Sequence, residues 1–343
     1  MSQLQWGLII TGALVLLGVL VQNIWLARRN RPRQPEPAPA GMADAQGARE
    51  PTLDADAFED SGFALPVPEK KPTLDALIDV IAPIALDTPV TGDAVLAAMP
   101  PTRRVGSKPF TVEGQAEGHL RWEFPVVGQR YVQLQAGIQL ANRSGALNDI
   151  EFSEFVMKTQ TFCDVLGGTP DFPDMRQEVN RARELDQFAG DHDAQLGFVL
   201  RARRAAWSPS YIQQMAAKSG FVPGSIAGRM VMPASASGVP PVLTLTFDAQ
   251  AALAEDPTQS ALRELTLSLD VAQVDRSERA FERMREVALS LANDMDGVVT
   301  DDNGVALPPE ALDVIAAELE HLHDTLAQRE LAAGSPLARR LFS

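Results

Sequence analysis

The side chains best suited to metal or nucleophilic chemistry in this chain are four histidines and one cysteine. His321 and His323 stand two apart within a stretch of helical periodicity, so they point to different sides of the helix. They cannot form the i, i+4 pair that grips a metal from one face. His119 and His192 lie in polar surroundings with no nucleophile or metal partner beside them. Cys163 follows Phe162 in an amphipathic pattern, a setting for core packing rather than for a reactive thiolate. Asp301-Asp302-Asn303-Gly304 lacks the alternating oxygen ligands and closing glutamate of a calcium loop and reads as a turn. Gly224 to Gly228 has no following lysine and makes no phosphate cradle. No catalytic residue, metal set, cofactor or small-molecule substrate is implied, and the reading is a binding protein rather than an enzyme.

A second group of residues carries a clearer physical message. Arg28, Arg29, Arg31 and Arg33 come directly after an almost wholly apolar run from Trp6 to Leu26. About 20 residues at ~1.5 Å each cross a hydrocarbon core of ~30 Å, and tryptophans near both edges suit the headgroup layer. A secretory signal would place its positive charge before the run and a small-residue cleavage site after it, and neither is present. Cationic side chains resist translocation, so the arginines fix the orientation: N-terminus outside, the rest of the chain in the cytoplasm. Residues 1–27 thus read as an anchor in the lipid bilayer.

Residues 28–73 turn from basic to Pro- and Ala-rich, with too little periodic apolar content to offset the entropy of folding. They read as a disordered spacer whose part from Pro32 to Pro72 would reach ~120 Å as fully extended polyproline II; small patches such as Leu53 to Phe58 are suited to docking. The net charge is -15, and the only strong basic cluster flanks the apolar run. The chain beyond the linker is therefore acidic, which argues against a nucleic-acid partner. A single cysteine leaves no internal disulfide, as suits a reducing cytoplasm.

The remainder contains two echoes of one plan, expected as modules over residues 74–190 and 195–331 with a tail over 332–343. In the second, Asp275 and Glu278 have capping-box spacing, and Phe281, Met284, Ala288, Leu291 and Met295 share a helical face that Gly297 stops. A hairpin across Asp301 to Gly304 and a helix facing inward through Leu312, Ile315, Leu319, Leu322 and Leu326 complete it. In the first, Asn148 and Glu151 offer the same cap, Phe152, Phe155, Val156 and Phe162 the apolar face, and Gly167 the stop. Asp164 then answers to Asp294 and Gly167 to Gly297, about 130 residues apart, as an ancient duplication would leave them.

Strands precede both helices. Leu265, Leu267, Leu269 and Val271 alternate with Glu264, Thr266, Ser268 and Asp270, while Val132, Leu134, Ala136 and Ile138 alternate with Gln133, Gln135, Gly137 and Gln139. Alternation predicts antiparallel sheet with one buried and one wet face. Further strands are expected at Gln195 to Arg204, Ile226 to Met232 and Pro241 to Asp248, and Ser208-Pro209 should open a short helix. The fold class is α+β, two split β-α-β layers with helices on one face of each sheet.

An anchor, a Pro-rich linker and a C-terminal α+β domain in this order resemble the ZipA family of bacterial cell-division proteins. Over residues 195–326, "YIQQMAAKSGFVPGS" is similar to the first helix of that family's FtsZ-binding domain, and "LANDMDGVVTDD" to its second helix and the strand after it. The resemblance implies an adaptor at the inner membrane, at the division site, that collects FtsZ polymers by holding the FtsZ C-terminal tail on an open sheet face. Carried over by strand order, that face would use Val199, Ile226, Thr246, Asp248 and Ser268, with Arg201 and Arg203 beside Val199 to meet acidic residues. Where the family has large apolar side chains, this chain has hydroxyls and a carboxylate. A membrane-tethered scaffold for another envelope assembly or secretion complex would have the same layout.

Overall fold

The computed structural model describes residues 33–34, 74–118, 121–254 and 260–343. The expected span Trp6 to Leu26, Arg28, Arg29, Arg31, His119 and nearly all of the linker lie outside the described residues. No helix among the described residues is long and apolar enough to cross a membrane. The described residues form two compact units, 74–191 and 192–342, the second also taking in Arg33 and Gln34.

The first unit runs β1 (Asp79–Thr91), α1 (Gly92–Ala98), β2 (Arg104–Val105), β3 (Lys108–Ala116), β4 (Trp122–Glu123), β5 (Arg130–Gln139), the hairpin β6 (Ala141–Asn142) and β7 (Gly145–Ala146), α2 (Asp149–Leu166), β8 (Gly168–Pro170) and α3 (Met175–His192). Its main sheet has the order β2-β3-β5-β1-β8, antiparallel throughout, with β4 on β3. Helix α2 starts on the expected capping box: Asn148 accepts from the Ile150 and Glu151 amides, and Glu151 returns to the Asn148 amide. The other Glu151 oxygen takes the Ser107 amide at 2.9 Å, so one carboxylate ties the helix start to the β2–β3 turn. Phe110, Phe152 and Phe172 pack around Phe155 with ring centres 6.0–6.1 Å away.

The second unit runs β9 (Gln195–Ala202), α4 (Pro209–Lys218), β10 (Val222–Pro223), β11 (Arg229–Met232), β12 (Leu243–Thr246), α5 (Ala249–Ala252), β13 (Glu264–Asp270), α6 (Ala280–Asp294), β14 (Gly297–Thr300), α7 (Pro309–Gln328) and α8 (Pro336–Leu341). Its sheet order is β10-β11-β12-β13-β9-β14, again antiparallel. With β1 laid on β9, β2 on β11, β3 on β12, β5 on β13 and β8 on β14, the two orders coincide, and β10 is the added edge. Leucines 265, 267 and 269 are buried in one core with Tyr211, Ile212, Phe281, Met284, Leu291, Leu312 and Leu319, which places α4, α6 and α7 on one side of the sheet.

Several expectations need correction. Asp275 and Glu278 do not cap α6: Asp275 caps a single 3-10 turn at Arg276–Glu278, and the helix begins after Arg279, which takes a left-handed φ of 49°. Glu278 spends its carboxylate on the Ser235 amide and Arg283 instead. Gly167 does end α2 in the left-handed region, but its counterpart after α6 is Asp296, with φ 54°. Gly297 is the first residue of β14, where a Cβ would stand 3.3 Å from the Trp207 ring; the repeat is therefore offset by one from its sequence alignment. Residues 332–343 are no loose tail: Ser335 caps α8, and Ala338, Leu341 and Phe342 are buried. In β5 the expected wet face is wet only at Gln133, since Gln135, Gly137 and Gln139 are buried too.

Candidate functional site

Directly opposed residues of antiparallel strands share a face. The registers Thr246↔Thr266↔Val199↔Thr300 and Thr244↔Ser268↔Gly197 therefore set these side chains on the outer face of the second sheet, away from the helices. The floor is a run of hydroxyls. Arg229, Asp270 and Asp302 rim it, Pro240 and Pro241 wall one side, and the cleft holds about 600 Å³. The Ser268 hydroxyl donates to the Thr244 carbonyl at 3.3 Å and the Thr300 hydroxyl to the Val199 carbonyl at 3.1 Å, so these side chains are partly committed to the sheet.

The structure brings together only part of the expected set. Thr246, Ser268, Val199 and Arg201 lie on this face. Val199, however, is 8% exposed and has little surface left to bury against a partner. Arg201 stands 3.7 Å from Glu264 in an exposed pair that contributes little to stability. Arg203 lies past the end of β9, donates its amide to the Asp296 carbonyl, and lines a separate groove with Leu289 and Asn293. Ile226 is not in a strand: it sits in the turn before β11, 57% exposed, because the strand starts only at Arg229. Asp248 caps α5 by accepting the Gln250 amide at 2.8 Å. Sequence reasoning missed Gly197, Thr244, Arg229 and Asp302; the alternation in Leu243-Thr244-Leu245-Thr246 was the available signal for Thr244, and nothing local marks Asp302, which reaches Gly197 from the β14 hairpin turn.

The first unit shows what the equivalent face looks like when occupied. The pairs Ile84↔Leu134 and Leu86↔Gly168 answer to Leu200↔Leu265 and Ala202↔Gly297. By that register Gly137 stands where the second unit has Ser268, Gln135 where it has Thr266, and Glu113 where it has Thr246. Leu74 lies over Gly137, its methyl filling the space a Cβ there would need, and donates its amide to Glu113 at 3.1 Å. Gln135 donates to the other Glu113 oxygen at 2.8 Å. The chain's own entry into β1 thus covers this face over Gly137 and Glu113, and Gln135 is buried beside them. Leu74→Ala should lower the stability of this unit by about 1–2 kcal/mol, read as earlier urea unfolding of peptides from 74–191 in hydrogen exchange.

Two features concern reactive chemistry. Burial pushes the Cys163 thiol up to about 11, so it is a packed thiol rather than a nucleophile. Burial likewise lowers the pKa of His323, whose Nδ1 meets no partner, while His321 is exposed on the neighbouring side of α7. Among the described residues no group of three or more His, Cys, Asp or Glu is placed to hold a metal ion.

No curated protein matches the chain. The family model described as ZipA, C-terminal FtsZ-binding domain, matches residues 247–318, which run from the end of β12 through β13, α6 and β14 into α7. That segment of the second unit is thus similar to the C-terminal, FtsZ-binding domain of the ZipA family.

Proposed function

We propose that this chain is a membrane-anchored adaptor of bacterial cell division, held in the inner membrane by residues 6–26 with its N-terminus outside, whose second unit receives the C-terminal tail of FtsZ on the outer face of its sheet. The observation that carries this reading is the contrast between the two units. The one that contains the family match leaves its outer face open as a cleft, and the other closes the same face with Leu74. One tail site per chain is the consequence, in the second unit. The tail lies across Thr244, Thr246, Thr266 and Ser268, with Arg229 and Arg201 at the rim to meet acidic side chains. Single contacts need not be strong, because many adaptors along one polymer raise the effective concentration of each for the next tail.

The hydroxyl floor supports a second reading, a scaffold for a different envelope or secretion complex, since threonine and serine favour a partner that brings hydrogen-bonding groups rather than only apolar ones. One titration separates the two. A fluorescent FtsZ tail peptide from the same source should bind the wild type at one site per chain. Thr266→Glu, which places bulk and charge in mid-floor, should weaken binding at least about tenfold. Arg201→Glu should weaken it severalfold, with a shallower salt dependence. No binding by a folded wild type favours the other complex, and equal binding by both variants moves the site off this face.

A further inference from the structure

The second unit does not consist of one continuous stretch of chain. Arg33, far away in sequence, forms a parallel bridge with Trp207. Its amide donates to the Ala206 carbonyl at 2.7 Å, and its carbonyl accepts from the Ser208 amide at 3.1 Å. On the other side of the same segment, Trp207 exchanges both backbone bonds with Leu262, at 2.7 and 2.9 Å. Residues 206–208 are thus the middle strand of a three-part ladder, and Arg33 is its outer member. The Arg33 side chain reaches Asp296 at 3.6 Å, where Arg204 also approaches at 3.8 Å. Ala206 and Ser208 are fully buried, so without Arg33 a carbonyl and an amide lose their partners.

We propose that Arg33 is a built-in strand residue of the second unit, and that this unit is held against the membrane rather than out at the end of the linker. The second half rests on the reading of residues 6–26 as a membrane span. Arg33 lies about seven residues beyond Leu26, and an extended chain covers no more than ~3.6 Å per residue, so Arg33 stays within about 25 Å of the end of the span and the bridged Trp207 only about one strand spacing, ~5 Å, farther. The Pro-rich segment after Gln34 then leads from the second unit back to the start of the first. Its flanking described residues, Gln34 and Leu74, each belong to a folded unit, so the segment does not set the distance of the second unit from the bilayer as the sequence suggests. The basic cluster gains a second role beyond orientation: one of its members is the contact that brings the tail-binding unit to the bilayer, where the polymer has to be collected.

The test uses the full chain in lipid nanodiscs and hydrogen exchange resolved at the Ser208 amide. In the wild type this amide should exchange slowly. In Arg33→Pro, which has no N–H for the Ala206 carbonyl and a fixed φ, it should exchange at least about tenfold faster. Arg33→Ala keeps the backbone bridge and loses only the partly exposed ion pair, so it should retain most of the protection. A spin label at Arg31→Cys should broaden signals of residues 204–208 more strongly than those of 243–246. Rapid exchange at Ser208 in the wild type, or equal exchange in Arg33→Pro with the unit still folded, overturns the bridge. A chain that stays out of the nanodiscs while Ser208 remains protected overturns the membrane span, and with it the membrane-held position, but leaves the bridge standing.

Discussion

Leu267→Asp is expected to unfold the second unit or bring it close to unfolding, at a cost of about 4 kcal/mol or more. Leu267 is fully buried and faces the helices, paired in register with Phe198 on one side and Leu245 on the other, both of them in the same core. The substitution removes the methyl groups from that core and leaves a carboxyl with no partner in apolar surroundings. The pH response is the signature of this cause. A buried, unpaired carboxyl has a folded pKa above its unfolded value, so the folded state binds the proton more readily and the variant gains stability as pH falls toward 5. Its neighbour supplies the control. Thr266 points the other way, onto the open floor, and Thr266→Asp should change stability by well under ~1 kcal/mol. Urea unfolding at pH 5 and pH 7, monitored through peptides of residues 195–342, checks both; a tolerated Leu267→Asp would mean that the two faces of β13 have been exchanged.

That contrast between neighbours is legible in the sequence, because a strict period of two in Glu264 to Asp270 allows only one assignment of inside and outside. The helices are legible for a similar reason: Phe281, Met284, Ala288 and Leu291 recur at a spacing that only a helix turns to one side, and all four are buried. Sequence reasoning fails where a position is decided by something distant in the chain. Gln133, Gln135, Gly137 and Gln139 alternate as a wet face should, yet only Gln133 is exposed, and Leu74, brought by the entry into β1, lies over Gly137. Asp275 and Glu278 have capping spacing, but Glu278 is engaged by Ser235 and Arg283, and the helix begins beyond them. Lys108 is a fully buried lysine whose ammonium donates to Asn142 at 2.9 Å and to the Gly145 carbonyl, and no local pattern announces it. Arg33 invites a reading by its charge alone, while its backbone is what binds.

For the candidate site, sequence supplies the strands and misses the cleft. Transfer by strand order sets Thr246 and Ser268 on the outer face, where their regular ladders also put them. It misplaces Ile226 and Asp248, which lie beyond strand ends, where a shift of two or three residues moves a side chain from a sheet face into a turn or a helix cap. The one-residue offset between Gly297 and Asp296 has the same origin. A glycine after a helix is the ordinary sign of a left-handed stop, but here the glycine is needed one position later, under a tryptophan.

That tryptophan supports the second of the large effects. Trp207→Ala should destabilise the second unit by about 3–5 kcal/mol from the lost ring and the space it leaves, with roughly another 1 kcal/mol for its hydrogen bond. Trp207 is fully buried, and its indole N–H donates to the Met295 carbonyl at 2.9 Å; one turn further, the Tyr211 hydroxyl donates to the Asp294 carbonyl at 3.2 Å. These two donors satisfy carbonyls at the end of α6, where a helix leaves acceptors without partners of its own. They thereby fix the point at which the chain turns into β14. That strand is the edge of the sheet next to β9, and its hairpin carries Asp302 to the rim of the cleft, so loosening it reaches the proposed tail site without a direct contact. Trp207→Phe separates the two contributions. It keeps most of the ring volume and removes the donor, so stability should fall by only about 1–2 kcal/mol and the unit should stay folded. In that folded variant, tail affinity should drop by a few-fold as β14 loses its fixed start, and exchange at Ser208 should stay slow because the Arg33 bridge uses backbone atoms alone. Unchanged affinity in Trp207→Phe would show that the hairpin rim takes no part in holding the tail, and the site would contract to the hydroxyl floor of β12 and β13.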